Sequence, residues 1–138
     1  MNHKVIAPVD EVKAFLKELK ELLIDPGFNI KTDLDILLKK SSEDASDPYT
    51  TSNTLLDLDF DSKDVVNQLL ILEVSEYLET FIDDKDSSLP PFYAFAKAIQ
   101  SKDVYIKVKI RDRKKCKIFC VSFHYARYPF PQKRPYTL

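Results

Sequence analysis

Residues 92–125 read FYAFAKAIQSKDVYIKVKIRDRKKCKIFCVSFHY, and the period of this stretch decides the fold. Val104, Ile106, Val108 and Ile110 alternate with Tyr105, Lys107, Lys109 and Arg111. A repeat of two belongs to a strand with one buried and one solvated face. Phe92 to Ile99 and Lys115 to Tyr125 are similar apolar and aromatic runs, so three strands are expected. Gln100-Ser101-Lys102 and the charged turn around Asp112-Arg113 separate them, which predicts two hairpins and an antiparallel meander. In the third strand, alternation groups Lys117, Phe119, Val121, Phe123 and Tyr125 on one face. Cys116, Ile118, Cys120, Ser122 and His124 take the other. Matching apolar faces across the turn sets Ile106 and Val108 beside Phe119 and Val121. The opposite faces then coincide as well, and for either short turn that fits, Tyr105 falls opposite Ser122 or His124. Tyr105, Lys107, Ser122 and His124 are therefore expected on one patch of sheet surface.

The chain preceding this block has a different period. Val12, Phe15, Leu16, Leu19, Leu22 and Leu23 recur at helical spacing, with Pro8 near the start and Pro26-Gly27 at the end of the segment. Asp33 to Lys40 reads as a second short helix, and Ser41 to Asn53 as an exposed loop. Leu55, Leu56, Leu58 and Phe60 are expected in the core, followed by a helix over Lys63 to Leu72 capped by Asp61 or Ser62. Val74 to Phe81 reads as a further helical turn or two. The carboxylates Asp57, Asp59, Asp61 and Asp64 do not form a calcium loop, because the required glycine is missing and Leu58 and Phe60 are too apolar. Gly27 is the only glycine, so tight turns elsewhere fall to Asn, Asp, Ser or Pro.

The 138 residues suit one α+β domain, with N-terminal helices packed on a C-terminal antiparallel sheet. Its parts are a mainly helical, acidic segment over 1–91, the basic meander over 92–125 and a basic, proline-rich tail over 126–138. From Lys97 onward there are 12 Lys/Arg and 2 Asp/Glu, a net of +10, while the preceding residues hold 9 and 20, a net of −11. A basic sheet of this kind suits a polyanionic partner such as RNA. In the tail, Arg127, Lys133 and Arg134 are candidate RNA contacts.

No apolar run approaches the ~18 residues of a membrane span and no signal-peptide core is visible, so a cytoplasmic protein is expected. Cys116 and Cys120, if on one strand, stand about 13 Å apart, too far for a disulfide. They read as reduced buried thiols, with a nucleophilic cysteine beside His124 as the alternative. The only histidines are His3 and His124, and no Cys/His cluster has ligand spacing, so neither metal nor cofactor is expected.

An imidazole, a phenol and several cations on a rigid sheet match metal-independent RNA cleavage. The ribose 2′-OH loses a proton, the phosphorane needs positive charge, and the leaving 5′-oxygen gains a proton. His124 would act as acid or base, Tyr105 would orient the nucleophile or stack a base, and Lys107 and Lys109 would hold phosphate. Arg111 and Ser122 complete the RNA-binding set. A solvated face with a satisfied histidine is the plain structural alternative.

The run L-D-L-D-F-D at 56–61 before a helix, L-x-x-S-E-Y at 72–77, D-V-Y-I-K-V-K-I at 103–110 and V-S-F-H at 121–124 together resemble the MqsR-like toxins. These are small bacterial ribonucleases of RelE-like fold from toxin–antitoxin pairs, and the order of motifs holds over about residues 54–125. The resemblance implies an mRNA-cleaving toxin held in check by a cognate antitoxin, for which the acidic N-terminal half offers a docking surface. Tyr105 matches the family's strand tyrosine, and His124 stands where some members have a basic residue after V-S-F. The lysine that some members carry after the L-x-x-S segment is replaced by Glu79. Lys97 is the candidate to supply that cation, though the Gln100 turn leaves its facing open. The alternative to an enzyme is a non-catalytic RNA- or protein-binding module.

Overall fold

The computed structural model describes residues 2–137. Strand β1 (Asn2–Val5) leads through Ala7 and Pro8 into helix α1 (Val9–Ile24), whose buried face is Val12, Phe15, Leu16, Leu19 and Leu23. Asp10 and Glu11 lie in the first turn, where carboxylates favour the helix dipole. One helical turn, α2 (Ile30–Asp33), is capped by the Asn29 side chain and runs directly into β2 (Leu34–Ile36). After a long loop come α3 (Thr51–Leu58), capped by Thr50, and α4 (Ser62–Leu70). Asp61 and Asp64 form a reciprocal capping box at the start of α4. A 3₁₀ turn (Val74–Glu76) leads into β3 (Tyr77–Asp83), followed by β4 (Phe92–Ile99), β5 (Lys102–Asp112) and β6 (Lys117–Tyr125).

The strands form one mixed sheet in the order β1-β3-β4-β5-β6-β2. All neighbours are antiparallel except β2, which runs parallel to β6. Helices α1 and α4 share a core with the sheet face formed by Tyr93, Phe95, Ile99, Val104, Ile106, Val108 and Ile110. Phe15 of α1 stacks on Tyr93 with ring centroids 4.0 Å apart. Helix α3 lies against β6, where the Thr51 and Thr54 hydroxyls accept the backbone N–H groups of Phe123 and Tyr125. Two side chains thus continue the pairing that β2 begins further along β6. Among the described residues no helix is long and apolar enough to cross a membrane.

The three expected strands are present, but they are the centre of a larger sheet. Residues 2–91 supply three more strands beside the helices, which still make up most of the regular structure there, so the sheet extends beyond 92–125. Leu34 to Ile36 is a strand where a helix over Asp33–Lys40 was expected. Its short apolar run fits a period of two as well as one of 3.6, and the free edge of β6 offers backbone partners. The expected helix over Val74–Phe81 is likewise a single 3₁₀ turn and then β3, with Tyr77 and Thr80 buried and β4 alongside. The 41–53 loop ends sooner than expected, with Thr50 and Thr51 buried at the start of α3.

Leu56 is 79% exposed rather than in the core, because the buried side of α3 is Thr51, Thr54, Leu55 and Leu58. The alternation in β6 also breaks once. The register passes from Lys107–Ser122 to Val108–Cys120, leaving Val121 as a bulge. Beyond it Ile118 and Cys120 face the core and Phe119 pairs with Lys109 on the other face, the reverse of the expected arrangement. A bulge adds one residue to one strand and shifts the facing of everything after it.

The two-residue turn between β4 and β5 has both Gln100 and Ser101 at positive φ, 52° and 64°. This is the backbone of a type I′ hairpin turn, made here without glycine. Among its described residues the tail forms no further helix or strand. Tyr136 returns to stack on Tyr77, centroids 5.8 Å apart, and its hydroxyl donates to the Ala7 carbonyl.

Candidate functional site

The sheet face opposite the core helices carries the residues of interest. The β5–β6 register sets Tyr105 directly opposite His124 and Lys107 opposite Ser122. The rings of Tyr105 and His124 stack with centroids 5.5 Å apart and planes 25° from parallel. On the other side of Tyr105 stands Ala96 of β4, and beside Lys107 stands Ala94. These small residues leave room for the longer side chains of β5 to lie across the sheet.

His124 is 9% exposed and its Nδ1 lies 2.9 Å from the carbonyl oxygen of Tyr125. Donation from Nδ1 to that carbonyl leaves Nε2 with the lone pair of a neutral imidazole. Burial holds the ring's pKa below 6.5, assisted by the Lys40 charge. The Tyr105 phenol is half-buried and pushed well above its ordinary value by burial and then by the Glu79 carboxylate, so it stays protonated. Lys107 is brought down to about 8, chiefly by burial, with the Lys40 and Lys4 charges adding to it and Glu79 opposing. Its ammonium lies 3.6 Å from the centroid of the Phe81 ring. Lys109 is also lowered by burial and by Arg111.

The corner around His124 is closed by the loop between β2 and α3. Lys40 places its ammonium 3.5 Å from the Ser122 hydroxyl. Arg127, from the tail, reaches Glu43 and Asp47 of this loop at 2.8 Å each, and Glu43 also accepts the Lys40 backbone N–H. Lys40 is a further cation beside these residues, and the sequence did not point to it. Its position just past an apolar run ending in Leu38 was the only signal, and the helix expected there concealed it. Arg127 is occupied by carboxylates, and Arg111 is tied to Asp35 at 3.2 Å.

Lys97 is not part of this cluster. It pairs with Val104 in the β4–β5 register and so points to the core face, opposite to Tyr105 and His124. There it is 9% exposed and its ammonium lies 3.1 Å from Glu76. Cys120 also faces the core. Burial raises its thiol to about 12, which removes it as a nucleophile beside His124. Cys116 is free as well and sits in the β5–β6 turn at φ 54°. Among the described residues no group of three or more His, Cys, Asp or Glu is placed to hold a metal ion.

Comparisons of the chain with protein-family models, with curated proteins and with solved structures return no match.

Proposed function

We propose that this protein is a metal-independent endoribonuclease of RelE-like type, the toxin of a toxin–antitoxin pair acting on mRNA in the cytoplasm. The observation that carries the reading is the pairing of Tyr105 with His124 and of Lys107 with Ser122 on the sheet face away from the core helices. In this account Nε2 of His124 takes the proton of the ribose 2′-OH, and the 2′-oxygen attacks phosphorus. The bond from phosphorus to the 5′-oxygen breaks as that oxygen receives a proton from the Lys107 ammonium. The products are a 2′,3′-cyclic phosphate and a 5′-hydroxyl, and solvent returns the proton from imidazolium to amine.

A lysine titrating near 8 is a competent acid at neutral pH, and a buried neutral imidazole is a competent base. Lys40 and Lys109 supply charge for the phosphorane. Tyr105, protonated throughout, stacks on the imidazole and donates a hydrogen bond to the substrate. Lys97 has no part in the step. The acidic N-terminal half is the docking surface for the antitoxin. The test is incubation of purified protein with a structured mRNA in excess EDTA: new ends that polynucleotide kinase labels without prior dephosphorylation support the reading, and intact RNA opposes it.

A second reading is RNA retention without cleavage. The 9% exposure of His124 beneath the 37–50 loop favours it. Salt-sensitive RNA binding with no new 5′-hydroxyl ends distinguishes it.

A further inference from the structure

Beyond the Tyr105–His124 corner, the same sheet face carries three phenylalanines from three different strands. Phe81 of β3 pairs with Phe92 of β4, and Phe119 of β6 pairs with Lys109 of β5. Phe92 and Phe119 meet edge to face across β5 with centroids 5.7 Å apart. The three rings therefore form a row perpendicular to the strands, half-buried and uncovered by α1 or α4, which pack on the opposite face. Each ring holds a cation: Lys107 stands 3.6 Å from Phe81, Lys109 4.6 Å from Phe92 and the Arg111 guanidinium 4.1 Å from Phe119. Among the described residues neither Lys107 nor Lys109 makes an ion pair.

A row of aromatic rings with unpaired ammonium groups on one sheet face has the two elements that single-stranded nucleic acid needs. Every base has a π-face to stack on a ring, and every phosphate needs a cation. The lysines spread over the rings would swing to phosphates as bases take their places, so both ends of each cation–π contact gain a partner. A duplex hides its π-faces and cannot make that exchange. Lys109 is four residues along β5 from Tyr105, about 13 Å, so the row lies beyond the corner where cleavage is proposed.

We propose that Phe81, Phe92 and Phe119, with Lys107 and Lys109, form a stacking platform that holds single-stranded RNA running away from the His124 corner. This rests on the reading that the sheet face binds RNA, and it does not need that face to cut it.

The experiment uses 2′-O-methyl oligouridylate, which lacks the attacking hydroxyl, and a duplex of equal length. The chain has no tryptophan, so Phe119→Trp introduces a single reporter on the platform. Its emission should be quenched by the single strand and unchanged by the duplex. By anisotropy, Phe92→Leu should weaken single-strand binding about tenfold without changing the salt dependence, and Phe92→Tyr should bind like wild type. Lys109→Gln should lower the slope of log K against log salt by about 0.7. Binding of the duplex as tight as that of the single strand, or equal affinity of Phe92→Leu and wild type, overturns the platform. If the platform results hold and unmodified RNA is never cleaved, the cleavage reading fails while the platform stands.

Discussion

Lys97 and Ala96 are neighbours on β4, yet Ala96 is the cross-strand partner of Tyr105 while the Lys97 ammonium is 3.1 Å from Glu76 on the other side of the sheet. One step along a strand separates the candidate site from the core. The two side chains of the ion pair are 10% and 18% exposed, so removing the lysine strands a largely buried carboxylate. Lys97→Met should cost about 3 kcal/mol in denaturant unfolding. Its RNA cleavage rate, measured below the unfolding transition, should match wild type. A large loss of cleavage with unchanged stability would return Lys97 to the chemistry.

The pH dependence follows from the same geometry. His124 must be neutral to accept a proton, and burial places its pKa below 6.5, so activity should rise with pH through a value under 6.5. Lys107 must be charged to donate, so activity should fall above about 8. The profile of kcat/KM is therefore bell-shaped. Stability carries a related signature. Between the lowered folded pKa of His124 and the unfolded value of 6.5, the unfolded chain binds more protons, so this residue's contribution is present above 6.5 and is lost as pH falls below it. His124→Gln should flatten that part of the stability profile.

The hydroxyls of Thr51 and Thr54 replace a neighbouring strand along β6. Valine has nearly the same shape but no acceptor. Thr51→Val should leave the buried N–H of Phe123 unpaired and lower stability by about 1–3 kcal/mol in urea titrations. Thr54→Val should act likewise on Tyr125, and both should speed hydrogen exchange at those two amides.

Gln100 and Ser101 hold positive φ in the β4–β5 turn without being glycine or asparagine. Gln100→Asn with Ser101→Gly matches the residue preference of a type I′ turn and should raise stability by about 1 kcal/mol. The change in unfolding midpoint measures it, with cleavage unaffected.

The part of the fold that a local period can specify was legible in the sequence. Val104 to Ile110 alternates without interruption, and the expected facing of β5 and the closeness of Tyr105, Lys107, Ser122 and His124 agree with the structure. Helix α1 was equally plain, because its buried residues, Val12 to Leu23, recur over about three turns before Pro26. What was hidden depends on partners distant in sequence. Leu34 to Ile36 becomes a strand only because β6 has a free edge, and Tyr77 to Asp83 because β4 lies beside it. The bulge at Val121 leaves no local signature, so Phe119 was placed in the core when it belongs beside Lys109. Lys97 was ambiguous for a related reason: Tyr93, Phe95 and Ile99 face the core, but the alanines between them are apolar too, so the period of two is blurred.

The most direct measurement of the central claim is single-turnover cleavage of an mRNA fragment in excess EDTA by wild type, His124→Ala and Lys97→Met, each confirmed folded by circular dichroism. Wild type and Lys97→Met should give 5′-hydroxyl products, and His124→Ala should lose at least about a hundredfold in rate, the scale of general acid–base catalysis. Equal rates for His124→Ala and wild type would contradict the claim.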